Sequence, residues 1–240
     1  MLAVIGGTGF GEFAGLSETR LHETATAYGP ASWQQGNVDG YPVIFLPRHG
    51  SPARVPPHRI NYRANIQALA DAGADNIIAV NAVGSVDPTL AVPTLVLPDQ
   101  VIDYSWGRAH TFFDDRIGHI DFTFPYDNPL RASLLAVADS LSGPVLRTTG
   151  TYGCTQGPRL ETAAEIARLA RDGCHIVGMT GMPEAALARE AALPYACLAV
   201  VVNAGAGIHG KAVDLDGIDA AMSQGMGWVR DLIRAWLASR

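Results

Sequence analysis

Short apolar runs alternate with helical patterns along the whole chain, and this alternation constrains the fold more than any single motif. Leu2 to Ile5, Val43 to Leu46, Asn76 to Val80, Leu95 to Leu97, Val145 to Thr149, His175 to Met179 and Ala196 to Val202 read as strands. Apolar residues at three- and four-residue spacing predict helices over 61–72, 129–140, 162–172, 183–192 and 214–237. Strand and helix in turn make an α/β fold of three layers, αβα, around a mostly parallel, mixed sheet. The continuous apolar run from Tyr195 to Val202 suits a strand covered on both faces. In such sheets small molecules bind beyond the carboxyl ends of the strands. With 240 residues, 48% of them hydrophobic, and no linker, repeat or low-complexity tract, the chain is expected to form one domain over 1–240.

The formal charge of −6 gives no basic footprint, which argues against nucleic acid and anionic membranes as partners. No apolar stretch is long enough to span a bilayer, and the first residues lead directly into a strand without a charged leader. The three cysteines, Cys154, Cys174 and Cys197, lack metal-type spacing and read as reduced structural residues, so a cytoplasmic location is expected.

Polar groups collect at the strand ends. After the first strand, Gly6-Gly7-Thr8-Gly9 lets backbone approach a ligand closely and adds the Thr8 hydroxyl beside amide donors, an arrangement suited to phosphate. The second strand ends on Arg48 and His49. Arg48 offers a fork of donors to a phosphate dianion, against the alternative of a surface ion pair. The third delivers Asn81-Ala82-Val83-Gly84-Ser85, which reads as a small-residue turn. Thr162 and Glu165 form a capping box that leaves Glu161 just outside the helix, where it either complements the helix dipole or serves a ligand. Pro183 reads as a first helical residue with Met182 as a poor N-cap, so Thr180 is left without a capping duty next to a helix N-terminus that suits an anion. Asn203 closes the last strand; before glycines, an Asn is also ordinary turn chemistry.

A glycine-rich turn after a first strand also opens nucleotide-binding dehydrogenases. Here the third glycine place of that fingerprint holds Glu12, and the single lysine, Lys211, has Gly207 rather than Tyr four residues before it. A non-enzymatic binding module needs fewer convergent polar groups on separate strand ends.

Six motifs occur in order: Gly6-Gly7-Thr8-Gly9, Arg48-His49-Gly50, His58-x-x-Asn61-Tyr62-x-Ala64-Asn65, Ala82-Val83-Gly84-Ser85, Gly157-Pro158-Arg159-Leu160-Glu161-Thr162 and Gly178-Met179-Thr180-x-x-Pro183-Glu184-Ala185. Together they resemble the trimeric purine nucleoside phosphorylase and methylthioadenosine phosphorylase family over almost the full length. The resemblance is nearest to bacterial S-methyl-5′-thioinosine phosphorylases. It implies attack of inorganic phosphate, a co-substrate, on C1′ of a purine nucleoside, a homotrimer, and no metal or organic cofactor. Thr8, Arg48, His49 and Thr180 are then expected at phosphate, with Ala82 adding a backbone donor and Met179 under the ribose. Asn203 and Glu161 fall to the departing purine. Cleavage through an oxocarbenium-like sugar requires both an anion under C1′ and stabilised charge on the base.

The chain departs from the 6-aminopurine members of that family. Those carry Asp where Asn203 stands, a second Asp where Gly205 stands, and usually Ser where Glu161 stands. Asn can donate to N7 or to O6, and Glu161 can accept from N1–H, so a 6-oxopurine is expected. The family match also implies Leu215 and Ile218 near the 5′ position and His119 reaching it from a neighbouring subunit, although both apolar residues could equally be core positions of the last helix. Apolar walls favour a methylthio group over a hydroxyl, which makes S-methyl-5′-thioinosine the expected substrate.

Overall fold

The computed structural model describes residues 1–141, 143 and 146–240. The chain opens with β1 (Leu2–Gly6), β2 (Ser17–Thr26), β3 (Gly29–Val38) and β4 (Tyr41–Pro47). There follow α1 (Tyr62–Asp71), β5 (Asn76–Ser85), β6 (Thr94–Val96), β7 (Gln100–Asp103), α2 (Asn128–Ala138), β8 (Leu146–Arg147) and β9 (Thr151–Cys154). The last elements are α3 (Ala163–Arg171), β10 (Ile176–Gly178), α4 (Glu184–Glu190), β11 (Tyr195–Ala204) and α5 (Ile218–Ala238). The described strands join one sheet. Its centre is parallel through β4, β1, β5 and β11, while β2–β3–β4 and the pairs β5–β10 and β6–β11 are antiparallel.

Because successive side chains of a strand point to opposite faces, the central strands feed two cores. Ile5, Ile77, Ala79, Cys197 and Ala199 pack with Ile66 and Leu69 of α1 and Leu187 of α4. Val4, Ile78, Val80, Leu198 and Val200 pack with Leu134 of α2 and Val229, Ile233 and Trp236 of α5. The three-layer α/β reading is thus what the chain forms. Among the described residues no helix is long and apolar enough to cross a membrane.

Several local expectations need correction. Residues 81–85 are strand rather than turn, because β11 pairs with them through Ser85 and supplies the hydrogen bonds that a turn would otherwise leave open. β11 likewise runs past Asn203 to Ala204, with a register shift between Val201 and Asn203. The helix after Pro183 starts at Glu184 with Pro183 itself as N-cap, not Met182. Its first turn already carries an anionic residue, Glu184. The strand read over 145–149 is described only as Leu146–Arg147, Val145 lying outside the described residues. The hairpin of β2 and β3, and strands β7 and β9, were not anticipated by the apolar pattern.

The sheet forks at β5. On one edge, β1 pairs with residues 76–79 of β5 and then ends, and β10 pairs with Ser85 and Gly84 from the other direction. Between them this edge has no strand partner at 80–83, and the site opens there.

Candidate active site

A cavity of about 210 Å³ lies over this unpaired edge. Along β5 it is lined by Asn81 and Ala82, with Gly7 beside Val80 and Thr180 bonded to Asn81, and further on by Gly84, which lies beside Asn203; Thr8, His49, Glu161, Gly205, Met179, Ile218 and Met222 complete the wall. Thr8 lies in the turn after β1, His49 follows β4, Asn81 and Ala82 are on β5, Thr180 follows β10 and Asn203 is near the end of β11. The structure therefore gathers Thr8, His49, Ala82, Glu161, Met179, Thr180, Asn203, Gly205 and Ile218 into one site. Leu215 does not line it and is 64% exposed. His119 is also exposed and outside it, on a surface segment.

Arg48 sits behind the wall rather than on it. Its Nε and Nη2 each donate to Glu184 at 2.7 Å, and its Nη1 donates to the Val80 carbonyl at 3.0 Å, the carbonyl that the fork in the sheet leaves unpaired. Three of the five guanidinium N–H groups are spent in this way. Burial alone would lower the Arg48 pKa, but the Glu184 carboxylate outweighs it and holds the guanidinium firmly charged. Glu184 also accepts from the Tyr195 hydroxyl at 2.8 Å and is fully buried. Gly7 makes the arrangement possible. A Cβ there would lie 2.8 Å from Arg48 Nη1 and 2.7 Å from the Val80 oxygen, so any side chain would displace the cation.

His49 Nδ1 lies 2.8 Å from the Val55 carbonyl. A carbonyl only accepts, so Nδ1 carries the proton and Nε2 is left free to face a ligand. Burial lowers the His49 pKa, which favours the neutral ring. Thr180 Oγ1 accepts from Asn81 Nδ2 at 2.8 Å.

Thr155 Oγ1 donates to Glu161 Oε1 at 2.6 Å, which fixes that carboxylate and leaves Oε2 for a ligand. The Thr162 capping box forms as expected, with Thr162 Oγ1 accepting from the Glu165 amide and Glu165 accepting from the Thr162 amide, so Glu161 is not drawn into capping α3. Arg159 clamps the same Glu165 at 2.8 Å and, with the Thr162 amide, lowers its pKa to about 2. Asn203 owes its position to the register shift in β11, which sets it opposite Gly84 instead of the next residue in step. Such bulges commonly re-aim one side chain. Asn203 Nδ2 donates to the Ala204 carbonyl at 2.9 Å.

Sequence reasoning gave no role to Glu184, Asn81, Thr155 or Met222. Glu184 stood within a quoted motif, but an acidic residue in a first helical turn ordinarily reads as a dipole complement. Nothing local marks its partner 136 residues away.

Residues 1–238 match the family model described as the phosphorylase superfamily. A relative in Pseudomonas syringae pathovar tomato, named "Probable S-methyl-5'-thioinosine phosphorylase", is 51% identical over 233 residues, covering 95% of this chain and 94% of its own. The "6-oxopurine nucleoside phosphorylase" of Pyrococcus furiosus is 43% identical, covering 86% of this chain and 82% of its own. The solved methylthioadenosine phosphorylase of Schistosoma mansoni in complex with adenine superposes with a TM-score of 0.91 at 28% identity, covering 99% of this chain and 90% of that one. The chain belongs to the phosphorylase superfamily.

Proposed function

We propose that the chain, acting as one domain over 1–240, catalyses phosphorolysis of 6-oxopurine nucleosides, with S-methyl-5′-thioinosine as substrate and hypoxanthine and 5-methylthioribose 1-phosphate as products. The observation that carries this is the make-up of this cavity, where the Thr8 and Thr180 hydroxyls and the β5 backbone share one space with the Glu161 carboxylate and the Asn203 amide. A phosphate oxygen forms a bond to C1′ as the C1′–N9 bond breaks, and the electron pair leaves with the purine. Thr8, Thr180 and the Ala82 backbone hold the anion under C1′, with the Arg48 charge behind them, and His49 Nε2 accepts from the O–H of the phosphate. Asn203 Nδ2, released from the Ala204 carbonyl, donates to N7 or O6, while Glu161 Oε2 accepts from N1–H. A preorganised donor of this kind contributes about 3 kcal/mol to a transition state. Adenine sets a lone pair against Glu161 instead, a mismatch of ~2 kcal/mol in a dry site. The scheme invokes no metal and no organic cofactor.

Met179, Ile218 and Met222 give the sugar an apolar surround, which supports the methylthio substituent. Leu215 lies outside the cavity, and this favours a second reading in which inosine and guanosine are also turned over. In the trimer we propose, His119 of a neighbouring copy closes the 5′ end. The three buried free thiols suit a reducing compartment and support a cytoplasmic location.

Base release from methylthioinosine, inosine, guanosine, methylthioadenosine and adenosine, with and without phosphate, tests the reading. Phosphate-dependent release of hypoxanthine from methylthioinosine is expected, with Arg48→Ala raising the phosphate requirement steeply. Equal release in phosphate-free buffer would mark a hydrolase instead.

A further inference from the structure

The proposed phosphate site carries a hydrogen-bond chain whose direction is set from inside the sheet. A threonine hydroxyl can donate or accept, and only a donor is useful to a phosphate oxygen. Asn81 Nδ2 donates to Thr180 Oγ1 at 2.8 Å, so that oxygen already serves as an acceptor. Its own single proton has no protein acceptor among the described residues, and Thr180 lines the cavity. The proton is therefore directed to a ligand.

This holds only while Asn81 presents its NH₂ to Thr180. An amide turned by half a rotation would present its oxygen, draw the Thr180 proton to itself and leave lone pairs facing the anion. Cys197 prevents the turn. Its Sγ lies 3.4 Å from Asn81 Oδ1 and is assigned as the donor. Burial pushes the Cys197 thiol pKa well up, so it stays S–H. A thiol donates weakly and accepts weakly, and Oδ1 gives it the better partner. Cys197 is essentially inaccessible and does not line the cavity, so no water competes for its thiol. The two lie on neighbouring strands, where Ala199 of β11 is the register partner of Asn81 and Cys197 stands two residues earlier.

We propose that Cys197 and Asn81 form a relay that fixes Thr180 as a hydrogen-bond donor to inorganic phosphate, making both positioning residues of the anion site. The relay rests on the reading of Thr180 as a phosphate contact.

The test is a double-mutant cycle on the full chain, read by calorimetric Kd for inorganic phosphate and by KM for phosphate against kcat. Cys197→Ala is expected to weaken phosphate binding about three- to ten-fold and to leave the nucleoside KM unchanged, with Cys197→Ser, which restores a donor, returning to within about two-fold. In a Thr180→Val background, Cys197→Ala should have no further effect. Asn81→Asp, nearly isosteric, keeps the relay testable if the cysteine variants fold poorly. It should weaken phosphate more in the Thr180 protein than in Thr180→Val, whereas charge repulsion alone would act equally in both. An unchanged Kd in Cys197→Ala, a failure of Cys197→Ser to restore binding, or equal effects in the two backgrounds would overturn the relay. Phosphate-dependent turnover without this coupling removes the relay alone; the coupling without turnover of any purine nucleoside removes the proposed function alone.

Discussion

Arg48 and Glu184 show how much of a site one buried pair can decide. Arg48 stays charged in the interior because Glu184 neutralises it at two points and Tyr195 holds the carboxylate in place. Removing one partner of such a pair leaves an uncompensated charge and costs about 3–5 kcal/mol. Glu184→Gln keeps one acceptor, so a loss of about 3 kcal/mol is expected in urea unfolding. Added phosphate should recover part of that loss, because an anion at the cavity wall then takes over the neutralisation. Asn203→Asp places a carboxylate oxygen where Nδ2 now meets the Ala204 carbonyl at 2.9 Å, so the new side chain must turn toward the base or take up a proton. Turnover of methylthioinosine should fall and that of methylthioadenosine rise relative to it, checked as the ratio of kcat/KM values. The ratio should narrow rather than reverse. A Cβ at Gly205 would lie 2.5 Å from the Ser85 oxygen, so the second carboxylate of the 6-aminopurine pattern does not fit this backbone. At this scale the sequence disclosed Thr8, His49, Glu161, Thr180 and Asn203 on the cavity wall, since unpaired polar residues at strand ends stand out. It did not disclose Glu184 or Asn81, whose partners lie on distant elements, nor Thr155, which meets Glu161 only through the fold of the loop between them.

Helices were legible where their ends carry their own chemistry. Asn61 accepts from the Ala64 amide, Asp127 from Leu130 and Thr162 from Glu165, and each is the N-cap of a helix read from apolar spacing, the last also from its capping box. Thr162→Ala should cost about 1 kcal/mol in thermal or urea unfolding. It should also raise the KM for the nucleoside, because Glu161 is the residue before the cap. The hairpin of β2 and β3 was not legible for the opposite reason. β2 is exposed along most of its length and shows none of the apolar alternation that signals a half-buried strand. The continuation of β5 into Gly84 and Ser85 was hidden by small residues that ordinarily form turns, and only pairing with β11 makes them strand.

For the whole molecule, three layers and parallel strands followed from alternation, but the fork at β5 did not, because strand order is a matter of pairing and not of pattern. Trp106 is 72% exposed, Phe124 57% and Ile117 92%, all on the stretch that carries His119. Exposed apolar groups on one segment support the proposed packing against another subunit. Light scattering should find about three times the chain mass of 25.3 kDa, and a monomer at assay concentration would exclude a trimer and the contribution of His119.

The position of β11 has a further consequence, for synthesis. The strand that pairs with β5 along nearly its whole length, and with β6 on its other side, is the last in the chain, at Tyr195–Ala204. Until it emerges from the ribosome, the nascent chain displays one open edge of its longest apolar central strand, a template for pairing with other chains. Translation stopped anywhere before Tyr195 should therefore yield aggregated fragments, recovered in the pellet when lysates are fractionated. A soluble fragment would show that the first four-fifths of the chain protects that edge by other means.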